Sequence, residues 1–250
     1  MCTIVLLRRP GHDWPLICAA NRDEMVDRPT QAPARHWPDR PEVTAGRDQL
    51  AGGTWLGIND WGVIAGVLNR PGSLGSDPIL RSRGELPLDA LDHAEASVAA
   101  GALSAIDPNS YRSFNMVIAD AQGAFWLSSP GDGTAVRAQA IPEGLSMITA
   151  HDLNDDASPR IAHYKPLFEA APPPDPQTGD WAAWQALMGD RREGVGGEEK
   201  GSMTILTPAG FATVSSSLLA LPGRERPGIK PRWLFAPGPP NTVPYAPVKF

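Results

Sequence analysis

At 250 residues, 42% hydrophobic and 20% charged, the chain is long enough to bury roughly three quarters of its unfolded surface in one good-sized domain. A formal net charge of −6, with no basic run longer than Arg8-Arg9 or Arg191-Arg192, argues against nucleic acid as the main partner. Two cysteines, Cys2 and Cys18, make neither a disulfide framework nor a zinc spacing, and no apolar run approaches the ~18 residues of a membrane span.

The first apolar run, Thr3 to Leu7, is too short for a secretory signal and meets Arg8, Arg9 and Pro10 at once. The expected location is therefore cytoplasmic. That run reads as a strand, and Pro15 to Ala20 as its hairpin partner. A Pro-rich stretch from Arg28 to Glu42 reads as ordered loop. Two further strands, in GGTWLGIND and WGVIAGVLN, turn around Asn59, Asp60 and Gly62. Leu88, Leu91, Ala94, Val98, Ala102 and Ile106 recur at helical spacing and predict one helix from Leu88 to Ile106, stopping before Asp107-Pro108.

Ser113–Asp120 and Ala124–Ser129 predict a second hairpin turning at Ala121-Gln122-Gly123. Pro159–Ala170 predicts a helix with Ser158 as N-cap and proline in the first position. Beyond a proline-rich linker near 171–179, Trp181–Met188 reads as a short helix and Gly194–Gly201 as loop. Met203–Thr207 and Phe211–Leu219 read as a closing hairpin. The tail from Pro222 is proline-rich, with one more strand near Arg232–Phe235. Antiparallel pairs with helices clustered between them predict an α+β fold, in a single domain over residues 1–250.

Cys2 is the most pointed candidate. Once Met1 is removed, Cys2 carries a thiol of pKa about 8.5 beside an α-amine of pKa about 7.7–8.0. Nucleophile and base then sit in one residue, without a separate histidine. Asn21-Arg22-Asp23-Glu24 follows the second strand, where two acids and a cation can interlock, and an arginine beside a thiol favours the thiolate. Asn69 closes WGVIAGVLN, where a side-chain amide can donate to a developing oxyanion, a contact worth about 3–4 kcal/mol. Gly52-Gly53-Thr54-Trp55 offers close backbone approach and an aromatic wall. Of the histidines, His151 in AHDLND is best placed for a site, and none has metal spacing. Ser215-Ser216-Ser217 is not a nucleophile elbow.

Together these segments resemble the NRDE-motif family, also called the transport-and-Golgi-organisation family. The matching pieces run in order over roughly the first 150 residues: Met1-Cys2, LICAANRDE ending at Glu24, Arg28-Pro29, GGTWLGI, the strand ending in Asn69, SRGEL, Phe114-Asn115, Asp120 and Gly144-Leu145-Ser146. The resemblance implies an N-terminal-nucleophile hydrolase-like fold, a four-layer αββα sandwich of two antiparallel sheets between helices. That layout is similar to the bile-salt hydrolase and penicillin V acylase group. It implies Cys2 as nucleophile, Arg22 and Asp23 as the residues that orient and tune it, and Asn69 as oxyanion donor. Asn21, Glu24, Trp55 and His151 are the candidate ligand-binding positions. The chain departs from the family pattern at Met147–His151, where an asparagine often follows GLS, and at Val214, where relatives often carry arginine.

Two functions follow from the resemblance. One is hydrolysis of a non-peptide amide C–N bond in a small-molecule or amphipathic ligand, which requires no cofactor. The alternative is a non-catalytic binding or trafficking protein for haem or an acyl-lipid or acyl-CoA type ligand. Haem would take His151 or Cys2 as axial ligand, and with no C-x-x-C-H it would not be covalently attached.

Overall fold

The computed structural model describes residues 2–75, 77–191 and 201–250. The chain begins with β1 (Thr3–Arg8), β2 (Leu16–Met25), β3 (Thr30–Ala34), β4 (Val43–Asp48), β5 (Leu56–Asn59) and β6 (Ile64–Asn69). Helices α1 (Glu85–Leu91) and α2 (Ala96–Ser104) precede β7 (Phe114–Ala119), β8 (Ala124–Ser129), β9 (Arg137–Ala140) and β10 (Gly144–Ile148). Helices α3 (Pro159–Ala170) and α4 (Ala182–Met188) lead to β11 (Phe211–Leu221), β12 (Arg232–Ala236) and β13 (Ala246–Pro247). These elements gather into two compact units, each built on one antiparallel sheet.

The first unit, Met1–Asp27 with Glu143–Val248, holds a sheet in the order β10-β1-β2-β11-β12-β13. Side chains alternate across a strand. Val5, Ile17, Ala19, Met147, Leu218 and Ala220 therefore share one face, and there they pack against Ile161, Tyr164 and Phe168 of α3 and Trp184 and Met188 of α4. Helix α3 starts as its sequence predicts: Ser158 caps it by accepting from the Ile161 N–H, and Pro159 occupies the first turn.

Two expectations in this unit are corrected. The strand predicted to end at Ala20 runs on through Asn21-Arg22-Asp23-Glu24 to Met25, because β11 pairs with it from Leu16↔Leu221 to Met25↔Phe211. The ladder slips by one residue at Val214, a bulge between Thr213 and Ser215. Met203–Thr207 is no strand but a segment joined to β11 by a single bridge, Leu206↔Ala212. Its first residues are drawn elsewhere: the Thr204 N–H donates to the Asp190 carbonyl, and the Met203 carbonyl accepts from the Asn21 side chain. Except for Gly201, the loop expected over Gly194–Gly201 lies outside the described residues.

The second unit, Arg28–Pro142 with Lys249–Phe250, is a meander in the order β3-β4-β5-β6-β7-β8-β9. Leu86, Leu88 and Leu91 of α1 and Ala96, Ala99 and Leu103 of α2 pack against Val43, Ala45, Ala65, Met116 and Leu127 on one face of the sheet. The stretch read as loop from Arg28 to Glu42 contains β3, an edge strand, where Pro33 costs no ladder bond. β4 also pairs with β5, completing a ladder that the short apolar spacing does not announce.

The single helix expected over Leu88–Ile106 is two helices. The Asn59 amide donates to the Leu91 and His93 carbonyls, both at 2.8 Å, and the Asp120 carboxylate accepts the Ala96 N–H at 2.9 Å. These distant side chains satisfy the backbone groups that a helix break leaves open. Two family segments also meet here. The Thr54 N–H donates to the Gly84 carbonyl at 2.9 Å, and a Cβ at Gly53 would stand 2.4 Å from the Gly84 carbonyl carbon. Gly53 of GGTWLGI and Gly84 of SRGEL are thus glycines because two backbones touch.

Candidate active site

The β1–β2 ladder places Thr3 opposite Asn21, so Cys2 lies one residue beyond the last pair, on the side of Arg22. The Asp23 N–H donates to the Cys2 sulfur at 3.4 Å, and the thiol faces the Asp23 carbonyl at 3.6 Å. By alternation Cys2 falls on the face of Ile4 and Leu6, opposite to the one that α3 and α4 cover. It is half-buried, whereas Cys18 is sealed in the core and its thiol is pushed up to about 12 by burial. The Cys2 thiol is also held above its ordinary value. Burial is the main cause and the Asp23 charge adds to it, while the hydrogen bond from the Asp23 backbone and the Arg22 charge pull the other way.

The Asp23 carboxylate points to the helix-covered face. One oxygen accepts from the Thr213 hydroxyl at 2.6 Å and the other from Arg160 Nη1 at 3.1 Å. The same Arg160 nitrogen donates to the Thr3 hydroxyl at 2.6 Å. The Arg160 and Asp23 side chains are 1% and 0% exposed, so this is a fully buried ion pair. A buried charge survives only with such partners.

The remaining candidates separate into groups. Arg22 is buried and stands 3.9 Å from Glu24, whose other oxygen accepts from the Met25 N–H. Asn21, on the helix-covered face, spends its amide on the Met188 and Met203 carbonyls, both at 3.0 Å, and so ties α4 to the approach of β11. His151 follows β10 in the same unit. Its Nδ1 lies 3.7 Å from Asp155, and its backbone N–H donates to the Thr149 hydroxyl. Among the described residues no group of three or more His, Cys, Asp or Glu could hold a metal ion. In the second unit Asn69 closes β6 opposite Phe114. Trp55, also there, lays its ring over Gly46, where a Cβ would stand 2.4 Å from the indole.

Arg160 and Thr213 escape a reading by motif. The signal for Arg160 is nonetheless present in the helical spacing: positions 160, 164 and 168 form one stripe, and Tyr164 and Phe168 are core residues. An arginine on a buried stripe demands a buried acid.

Two antiparallel sheets with helices make this an α+β fold of the N-terminal-nucleophile hydrolase type. Solved structures with this fold include a Caenorhabditis elegans ortholog of N-acylethanolamine-hydrolyzing acid amidase, similar over 87% of this chain and 92% of its own at a TM-score of 0.50 and 14% identity. Penicillin V acylase from Agrobacterium tumefaciens is similar over 95% and 83% at a TM-score of 0.56 and 13% identity. A mutant of conjugated bile acid hydrolase from Clostridium perfringens is similar over 100% and 97% at a TM-score of 0.52 and 11% identity. The family model for Transport and Golgi organisation 2 matches residues 1–178, and the chain belongs to that family. The Mus musculus Transport and Golgi organization 2 homolog is 36% identical over 112 residues, and the Homo sapiens homolog 35% over 112. Each match covers 43% of this chain and 39% of the relative, so the chain spans well under half of the curated relatives it matches. No helix among the described residues is long and apolar enough to cross a membrane.

Proposed function

We propose that the chain is a cysteine amidohydrolase that cleaves a non-peptide amide C–N bond, with Cys2 as nucleophile. The observation that carries this reading is the half-buried Cys2 thiol, bracketed by the main chain of Asp23 where β1 begins, with a buried Arg160–Asp23 pair behind it. Support comes also from the fold, shared with proteins named an amidase, an acylase and a hydrolase.

The raised thiol pKa means that the resting sulfur is protonated and needs a base. Removal of Met1 frees the Cys2 α-amine to be that base. It takes the Sγ proton as sulfur attacks the acyl carbon, and the C–N bond then breaks. The departing nitrogen receives the proton from the α-ammonium, leaving a thioester. Water, deprotonated by the same amine, adds to the thioester; the acid departs and the thiol reforms. Arg22, beside the thiol, favours the charged sulfur during attack.

The test combines intact mass with a panel of N-acyl amides. Active protein lacks Met1, forms an acyl adduct on Cys2, and loses turnover by at least about a thousandfold on Cys2→Ala. Turnover by protein that retains Met1, or undiminished turnover in Cys2→Ala, overturns the reading.

A further inference from the structure

We infer that Arg160 is a positioning residue for the Cys2 thiol. From the helix side of the sheet it neutralises and orients Asp23, whose main chain holds the sulfur on the other side. This inference rests on Cys2 as the reacting group but not on turnover.

Three observations meet at this residue. The ladder between β1 and β2 ends at Thr3↔Asn21, so it does not reach Cys2. A single nitrogen, Arg160 Nη1, then spans the gap, donating to Thr3 at 2.6 Å and to Asp23 at 3.1 Å. Asp23 brackets the Cys2 sulfur from across the strands, and the Thr3 hydroxyl anchors the Arg160 nitrogen where it meets the Asp23 carboxylate. The pair is also fully buried, on a stripe of α3 that Tyr164 and Phe168 otherwise fill with apolar surface. Packing alone would be served by a leucine there. Finally, a carboxylate near a thiol disfavours the thiolate. A cation bonded to that carboxylate offsets the penalty without approaching the sulfur from its own face.

Both bonds leave from one nitrogen, so a lysine ammonium, with three donors on one atom, can make both. This separates Arg160 from a bidentate arginine, where lysine fails.

The experiment follows alkylation of Cys2 by iodoacetamide at pH 8, read by peptide mass mapping, with near-ultraviolet circular dichroism as the control for folding. Arg160→Met is expected to slow labelling about tenfold, the size of one unit in thiol pKa. Arg160→Lys is expected to stay within about twofold of the parent, and Asp23→Asn/Arg160→Met within about twofold of Asp23→Asn, since Arg160 acts through Asp23. A folded Arg160→Met that labels at the parent rate assigns Arg160 a packing role and overturns the inference. So does a further tenfold loss on adding Arg160→Met to Asp23→Asn, a comparison that decides alone where the single variant does not fold. Labelling requires neither Met1 removal nor a substrate, so a failed search for amide hydrolysis leaves this result standing.

Discussion

Each unit buries a family-motif aspartate, and the two do different work. Asp120, in the second unit, accepts from the N–H groups of Ala96, Gln122 and Gly123, at sequence distances of 24, 2 and 3 residues. Its partners are neutral and backbone, and its product is geometry: one tight turn and one helix start. Asp23, in the first unit, accepts from Arg160 and Thr213, at distances of 137 and 190 residues. Its partners are side chains from two other elements, one of them charged, and its own backbone holds a thiol. A motif aspartate whose donors are all backbone amides marks a fold position, while one whose donors are distant side chains and whose own backbone holds a thiol marks a candidate site.

The largest expected effect breaks the second kind. Asp23→Ala strands the Arg160 charge in the core, and loss of one partner of a buried pair costs about 3–5 kcal/mol. Urea unfolding measures it. Asp23→Asn/Arg160→Met should recover much of that loss, because removing both charges also removes the uncompensated one. If the double variant is less stable than Asp23→Ala, the pair does not hold its own partner's charge and the contrast with Asp120 fails. Asp120→Ala should be milder, about 2 kcal/mol for a lost helix cap and unmet buried N–H groups. It should leave the rate of Cys2 alkylation unchanged, because nothing in that turn belongs to the thiol's unit.

The same contrast explains what could be read from the amino-acid order. Local signals were legible: the strand Thr3–Leu7, the hairpin turning at Gly123, and the Ser158-Pro159 cap each depend on residues within a few positions of one another. The motif also names Cys2 and Asp23 together, and the Asp23 main chain does meet the Cys2 sulfur. What failed depended on partners far along the chain. NRDE lies past the predicted end of its strand until β11 is laid beside it, and Leu88–Ile106 looks like one helix until Asn59 and Asp120 reach its middle. Arg160 belongs to no motif for the same reason: its acid lies 137 residues away.

A last comparison, absent at neutral pH, sets the two cysteines side by side. Cys18, at mid-strand, has no polar duty, and burial raises its thiol from 9.0 to about 12. In the unfolded chain that thiol ionises at its ordinary value, so between pH 9 and 12 the unfolded state binds fewer protons than the folded one. Stability from this thiol is therefore complete below pH 9 and is lost as pH climbs toward 12, at about 1.4 kcal/mol per pH unit. Denaturant midpoints followed across that range should fall less steeply in Cys18→Ala than in the parent. Cys2 is raised too, but half-buried, so reagent meets it in the native state. At pH 8 iodoacetamide should mark Cys2 in folded protein and reach Cys18 only after unfolding. Equal labelling of the two in folded protein would mean that β2 opens along its whole length, and that the Asp23 end is no more accessible than the core from which it extends.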